Sequence, residues 1–399
     1  MEHLIIKNFG PIRDLDIKLK PLSVVIGKQS SGKSTIAKIF ATFSWLEKAL
    51  IRRQITKKGI SRKGYLRARC KYHKIEDFFE KDTFIKYRNE YYNFIQQDDK
   101  LSVSLIKSSN ERISIPKITY FPAERGILSA LYPIKDSSLT DSLSDLKFEF
   151  EKAKDTFFSG FELPWGDTFE YNRQNKISYI RPRGISHQIR LSASSSGTQC
   201  ALPLLLTIRN LEKTVYENND KDVSLNFDEI RTDILKIYQN KNYSDETRNA
   251  IIQSLLSKYK NSYLLNIVEE PEQNLFPSAQ KDIFFDLLQM TSFKDGGKLF
   301  ITTHSPYILT LLNCVIKKSI LFKKYNNPTI ANELNRLLDT PILTQDEVSA
   351  YMLDNGTATS IINEESALIS ADLMDSVSDE ISQTFENLLD FELSHDNIQ

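Results

Sequence analysis

Gly27-Lys28-Gln29-Ser30-Ser31-Gly32-Lys33-Ser34-Thr35 sets two glycines, a lysine and a hydroxyl at the intervals of a phosphate-binding loop. Successive backbone N–H groups in such a loop form an anion nest, and the following helix N-terminus adds its partial positive charge. Gly27 and Gly32 permit the turn and a backbone approach that a Cβ would block. Lys33 is expected to reach the β- and γ-phosphates of a nucleotide, and Ser34 to place its hydroxyl on Mg²⁺. A simple helix cap after a strand would not need both glycines and the lysine together.

Three other stretches carry reactive groups. The apolar run Leu264-Leu265-Asn266-Ile267-Val268 ends in Glu269-Glu270-Pro271-Glu272. Carboxylates at a strand end are how nucleotide hydrolases position metal and water. By position Glu269 would hold the metal, directly or through water, and Glu270 would orient or deprotonate the attacking water. A solvated acidic turn is the plainer reading. Ser192-Ala193-Ser194-Ser195-Ser196-Gly197-Thr198-Gln199 is a hydroxyl-rich helix start, suited to an anion but also to ordinary capping. His304 follows the strand Leu299-Phe300-Ile301-Thr302, where open α/β sheets keep their ligands, and could donate to a γ-phosphate or be structural.

The elements that must hold these groups alternate. Leu4–Lys7, Leu15–Leu19 and Leu22–Ile26 read as short strands, punctuated by Gly10-Pro11 and Lys20-Pro21. From Thr35 to about Ile95 the pattern reads as helical, basic and aromatic, with turns near Gly59 and Gly64. Ile118–Phe121 is a strand stopping at Pro122, and residues 128–165 read as amphipathic helix. Ile177–Ile180 and Gln188–Leu191 read as strands of a hairpin, and Leu202–Leu211 as apolar helix. Tyr263–Val268 and Lys298–Thr302 are buried strands. The alternation predicts an α/β fold, a P-loop NTPase with a mostly parallel central sheet, N-terminal antiparallel strands and helical insertions. The expected organisation is a discontinuous core of 1–40, 112–213 and 263–340. Added to it are a basic helical insertion (41–111), a polar helical insertion (214–262) and an acidic C-terminal helical segment (341–399).

The chain has 399 residues, zero formal net charge and 40% hydrophobic residues, enough for a substantial core. Cys70, Cys200 and Cys314 are isolated, without metal-like spacing. No apolar run reaches membrane-spanning length and no signal-type apolar region opens the chain, so a cytoplasmic location without membrane contact is expected. The neutral total hides a gradient. Lys48, Arg52, Arg53, Lys57 and Lys58 begin a basic stretch running to Lys74, with Tyr65 and Tyr72 interleaved. Beyond Arg336 there is no Lys or Arg. The basic stretch is a candidate DNA or RNA contact, or simply a solvated face. Leu368, Ile369, Leu373, Met374, Val377, Ile381, Phe385 and Leu388 recur at helical intervals in the acidic tail.

Taken in order, these parts resemble the ABC-type ATPase heads of the SMC, RecF and OLD proteins. Walker A is GKQSSGKST, the signature-like stretch SSSGTQ (194–199), Walker B LLNIVEEPE (264–272) and the switch histidine lies in ITTHSP (301–306). LIIKNFGPIRDLDIKL, FPAERG, EEPEQNLFP and DEVSAYMLDNG look like the OLD-like bacterial branch, whose ATPases often serve anti-phage systems of the Septu or PARIS type. The resemblance implies ATP and Mg²⁺ as ligands and a head-to-head homodimer, or higher oligomer, formed through the ATP sites. Ser195 of one copy would approach the γ-phosphate on the other, helped by the N–H groups of Ser196 and Gly197, with His304 sensing the same phosphate. The pattern also departs from the family: Ser194 replaces a leucine, Ser196 a glycine, Thr198 a Gln or Glu, Glu269 the commoner Asp, and Phe276 the D-loop aspartate. Glu124 or Arg125 could fill the Q-loop region or merely end a strand.

Long heptad arms are absent, and the stretch after His304 is short and poor in Asp-x-Asp for a Toprim nuclease; Asp372 and Asp375 read as helical. Any cutting is therefore expected from an effector or nuclease partner, with this chain as ATPase switch or sensor. A RecF-like repair ATPase clamping DNA, or an ATP-binding scaffold with little turnover, are the alternatives.

Overall fold

The computed structural model describes residues 2–107, 114–131, 139–217, 261–325, 327–363 and 365–370, with isolated positions 237, 248, 252, 383 and 386. The polar segment 214–262 therefore lies largely outside the described residues. So do Asp372, Asp375 and the apolar tail positions from Leu373 to Leu388.

Three strands open the chain: β1 (Glu2–Phe9), β2 (Ile12–Leu19) and β3 (Leu22–Gly27). β3 is buried along its whole length, which suits a strand covered on both faces. It feeds α1 (Lys33–Ile51), which is followed by the short helices α2 (Lys57–Ile60) and α3 (Tyr65–Cys70).

The expected helix does not continue to Ile95. Residues 79–105 instead form β4 (Phe79–Arg88), β5 (Tyr92–Gln97) and β6 (Lys100–Leu105), an antiparallel meander on the edge of β1. The reason is a period of two: buried Thr83, Ile85 and Tyr87 alternate with more exposed neighbours. Asp98 and Asp99, with φ of 50° and 57°, make the tight turn between β5 and β6. Over residues 41–107 the expected helical insertion is thus helix followed by sheet; the rest of it, 108–111, lies outside the described residues.

After β7 (Pro116–Phe121) come α4 (Ile127–Ala130) and α5 (Asp141–Thr156). The expected helix over 128–165 ends before 161, because residues 161–162 pair as strand β8 (Phe161–Glu162). With β9 (Thr168–Asn172), β10 (Ile177–Arg181) and β11 (Ile189–Arg190), β8 makes a separate four-stranded sheet that contains the anticipated hairpin.

α6 (Ser196–Glu212), β12 (Tyr263–Glu269), α7 (Pro277–Met290), β13 (Lys298–Thr303), α8 (Pro306–Tyr325) and α9 (Pro328–Leu337) follow. The chain then returns to the sheet as β14 (Val348–Asp354) and β15 (Thr357–Ser360). This corrects the helical reading of 341–399 over those residues. Asn355-Gly356, at φ 48° and 78°, is the two-residue hairpin turn between them.

The main sheet has eleven strands in the order β6-β5-β4-β1-β2-β15-β14-β3-β13-β12-β7. From β14 to β7 all neighbours are parallel; from β6 to β2 all are antiparallel. It is therefore a mixed sheet, with a parallel part from β14 to β7 beside the expected N-terminal antiparallel strands. The sheet separates two apolar cores. Val24, Val268 and Ile301 face α6, α7 and α8, whereas Val25, Ile267 and Phe300 face α1. This α/β architecture, with a phosphate loop after β3, is that of a P-loop NTPase.

Candidate functional site

β12, β13 and β3 are parallel neighbours, pairing Glu269 with Thr302 and Thr303 with Ile26. Their carboxyl ends therefore bring the phosphate loop, the glutamates and His304 to one edge. A Cβ on Gly27 would lie 2.4 Å from the Leu353 carbonyl and 2.9 Å from Ser31 Oγ, so β14 and the loop leave room only for hydrogen. Gly32, at φ 107°, turns the chain into α1.

Lys33 is buried, and its Nζ donates to the carbonyls of Gly27 and Lys28, both at 2.8 Å. It also stands 3.5 Å from His304 Nδ1. Burial pushes this ammonium below its ordinary value, while Glu270, Glu272 and Glu269 oppose the shift. Ser34 Oγ donates to Glu269 Oε2 at 3.0 Å, and the Tyr120 hydroxyl donates to Glu269 Oε1. Glu269 is buried, which raises its carboxyl above the ordinary value against the hydrogen bond from Tyr120 and the charge of Lys38.

Glu270 sits at φ 45°, an uncommon conformation for a non-glycine residue and one found at functional strand ends. Its N–H donates to Thr302 O at 2.8 Å, and Oε1 stands 3.3 Å from His304 Nε2. Glu272 Oε1 accepts from Thr303 Oγ1 and from the His304 N–H, both at 2.7 Å, so it fixes the turn that carries the histidine. Burial raises the Glu272 carboxyl as well.

Sequence reasoning gave no firm role to Arg125 and passed over Tyr120. Arg125 is fully buried: Nη1 donates to Glu269 O at 2.6 Å and Pro122 O at 3.2 Å, Nη2 to Glu270 O at 2.8 Å, and Nε to Cys200 O at 3.0 Å. It clamps the carboxylate turn to α6. Glu124 beside it is exposed. The only local signal was the Tyr-Phe-Pro-Ala-Glu-Arg order at the end of an apolar strand.

Ser195, Ser196 and Gly197 are not brought onto the phosphate loop. Ser195 caps α6: its Oγ accepts from Thr198 N at 3.2 Å and lies 2.9 Å from Thr198 Oγ1. Ser194 donates to Leu191 O, and Gln199 to the Ser192 and Ser194 carbonyls. A Cβ on Gly197 would lie 2.6 Å from Asn274 O, so this turn packs against the loop after the carboxylates.

The basic candidates divide. Lys48 Nζ donates to Pro116 O at 2.7 Å and to Asn261 Oδ1 at 3.0 Å, and Arg52 Nη2 reaches the same Oδ1 at 3.1 Å. Burial, then the Arg52 and Lys117 charges, holds the Lys48 amine well below its ordinary value. Both residues fasten α1 to the sheet edge and are not displayed to a nucleic acid. Arg53, Lys57 and Lys58 are exposed.

The edge fits a triphosphate with Mg²⁺. Buried Ser31 Oγ has no hydrogen-bond partner among the described residues, as expected for a group that waits on a ligand. Ser34 and Glu269 supply the two oxygens Mg²⁺ commonly takes from protein, leaving the rest to phosphate and water. No three His, Cys, Asp or Glu among the described residues cluster to hold a metal. No helix among them is long and apolar enough to cross a membrane.

A protein-family model described as an AAA ATPase domain matches residues 1–158, taking in the phosphate loop, Tyr120 and Arg125. No curated protein matches the chain. Among solved structures it is similar to the SMC head domain from Thermotoga maritima, at 10% identity and TM-score 0.35, with 90% of this chain and 97% of that one covered. The recombination mediator protein RecF shows 10% identity, TM-score 0.32 and the same coverage of 90% and 97%. A dimeric ATP-binding cassette bound to ADP and Pi shows 10% identity, TM-score 0.28 and coverage of 89% and 96%.

Proposed function

We propose that this chain binds and hydrolyses ATP with Mg²⁺, that two copies close head to head over the nucleotide, and that closure is a switch. The observation that carries the reading is the constellation of Lys33, Glu270 and His304, with separations of 3.5 Å and 3.3 Å, beside the Ser34–Glu269 pair. Lys33 would exchange its two carbonyl bonds for phosphate oxygens, and Ser34 and Glu269 would hold the metal, which neutralises developing charge. Glu270 would orient the attacking water and take its proton as the bridging oxygen leaves. His304 would report the γ-phosphate to the Glu272-held turn.

Dimerisation is supported by what one copy lacks at the site. The signature hydroxyls bond within their own turn, so a partner's Ser195, Ser196 and Gly197 would complete the γ-phosphate cradle. Phe276 and Tyr307, next to the glutamates and to His304, are 77% and 51% exposed and offer apolar surface for the closing partner. We assign the switch to an anti-phage defence complex with an effector, a nuclease by preference, on a separate chain. The phrases EEPEQNLFP and FPAERG motivate this assignment, and protection against phage by the whole operon tests it. A DNA clamp built on the basic stretch is weakened, since Lys48 and Arg52 are used internally.

Glu270→Gln should retain ATP binding, lower turnover by about a hundredfold or more, the scale of a lost general base, and lengthen the life of an ATP-dependent dimer seen by light scattering. Lys33→Ala should abolish that dimer. Wild-type turnover in Glu270→Gln would overturn the assignment.

A further inference from the structure

A cavity of about 430 Å³ opens between α1, the 68–73 turn, β7 and the start of α5, on the α1 side of the sheet. Its walls include Trp45, Tyr72, His73, Tyr120, Asp141 and Asp145. Neither the phosphate loop nor the carboxylate turn lines it. Two features suggest a ligand site rather than a packing gap. The His73 imidazole is 5% exposed, stands edge-on to Tyr72 and to Tyr120 at 4.7 Å each, and its Nδ1 has no hydrogen-bond partner among the described residues. The cavity also collects stacking faces: Trp45 is 38% exposed, and the Arg69 guanidinium already lies 4.6 Å over its ring.

The polar groups narrow the ligand class. The carboxylate oxygens of Asp141 and Asp145 are hydrogen-bond acceptors, so they suit a planar ligand with N–H donors on its edge. Tyr72 donates to Asp145 Oδ2 at 2.5 Å and leaves the other carboxylate oxygen for such a donor. A simple cation would be opposed by Arg69 and Lys71 on the same wall. Those two charges belong to the exposed basic segment and are placed to meet phosphate. Aromatic faces, carboxylate acceptors and a cationic rim together are the chemistry that holds a nucleobase and its phosphate.

We propose that this cavity binds an amino-bearing nucleobase, carried by a free nucleotide or by a nucleic-acid strand, and that its occupancy is felt at Glu269 through Tyr120. Tyr120 is the shared wall: its ring meets His73 and its hydroxyl meets the carboxylate that Ser34 also holds. The coupling rests on the ATPase reading above; the binding does not.

The chain contains two tryptophans, so full-length Trp165→Phe leaves Trp45 as sole reporter. Its fluorescence is titrated with adenosine, guanosine, cytidine and uridine, and with a short single-stranded oligonucleotide at two salt concentrations. Circular dichroism checks that each variant is folded, and equilibrium dialysis with wild-type chain repeats the measurement without the substitution. Saturable quenching by the amino-bearing nucleosides, weakened about tenfold in Asp141→Asn/Asp145→Asn as expected for lost bonds to charged acceptors, supports a base site open to free nucleotide. Quenching by the oligonucleotide alone, falling steeply with salt and weakened in the same variant, supports a base delivered by a strand. Absence of saturable binding in both assays, or binding indifferent to both aspartates, overturns the site.

For the coupling, saturating ligand should change the ATP turnover of the wild type and leave Tyr120→Phe unresponsive. An active wild type that ignores bound ligand overturns the coupling. A chain without turnover instead sinks the ATPase reading, and the fluorescence result stands on its own.

Discussion

Arg125 puts a charged side chain where no solvent reaches it and spends its donors on carbonyl oxygens of Pro122, Cys200, Glu269 and Glu270. Burial pulls the guanidinium below its ordinary value, yet such a group stays ionised in proteins. The clamp joins three chain segments at the point where the two glutamates leave β12. In Arg125→Leu the carbonyls lose their donors without gaining water, and each unsatisfied buried acceptor costs about 1–3 kcal/mol. The expected loss is therefore about 3 kcal/mol or more in urea unfolding, together with impaired ATP turnover. Arg125→Lys should recover only part of both, because one ammonium cannot span the carbonyls that a planar fork reaches. A denaturation midpoint unchanged in Arg125→Leu would show that the carbonyls find other partners.

Elements meet this site through backbone, and that makes the glycines at their junctions sensitive. Gly197 in the first turn of α6 faces Asn274 O and Leu275, and an added Cβ would stand 2.6 Å from that carbonyl and 2.9 Å from Leu275 Cδ2. Gly197→Ala must move α6 away from the post-carboxylate loop, so ATP-dependent dimerisation should fall at least about tenfold, an interface loss of about 1.4 kcal/mol. ATP binding by the single chain, set by the phosphate loop, should change little; calorimetric titration beside light scattering separates the two. The candidate residues were legible from sequence because they sit in contiguous motifs at strand ends, and Gly27 to Thr35, Glu269 with Glu270, and His304 lie together at one edge of the sheet. The bonds that set their geometry were not, since Tyr120 and Arg125 act across gaps of 149 and 144 residues. The strands β4 to β6 were hidden because the basic helical stretch before them reads as continuing, although Thr83, Ile85 and Tyr87 already alternate with a period of two. β14 and β15 were hidden for another reason: an acidic tail suggested helix, although Asn355-Gly356 between alternating runs was a hairpin signal.

At the scale of the whole molecule the antiparallel and parallel parts of the sheet are tied together by one buried charge cluster. Lys298 of β13 lies 2.9 Å from Glu2 of β1, with Tyr263 of β12 against the same ammonium, and Glu47 of α1 is buried beside them. Burial, with the nearby Glu2 charge, raises the Glu47 carboxyl from 4.5 to about 8, although Lys298 and Asn89 oppose the shift. The folded chain therefore keeps a proton that the unfolded chain releases near 4.5. Between those two values the native state binds more protons, so stability falls as pH rises and the loss is complete only above the folded value. The Lys298 ammonium is shifted upward, the stabilising direction for a base; that contribution is lost only at pH above the ordinary lysine value and does not interfere in this window. Glu47→Gln keeps the shape and removes the titration. Thermal unfolding from about pH 5 to about pH 8 should show the wild type losing stability relative to Glu47→Gln, by no more than about 5 kcal/mol at the upper end, the full value of such a shift. The variant should be the more stable of the two at about pH 8 and above. Parallel curves across that range would mean that the Glu47 carboxyl ionises in the folded chain as it does in the unfolded one, and that water or a neighbouring proton donor reaches the cluster.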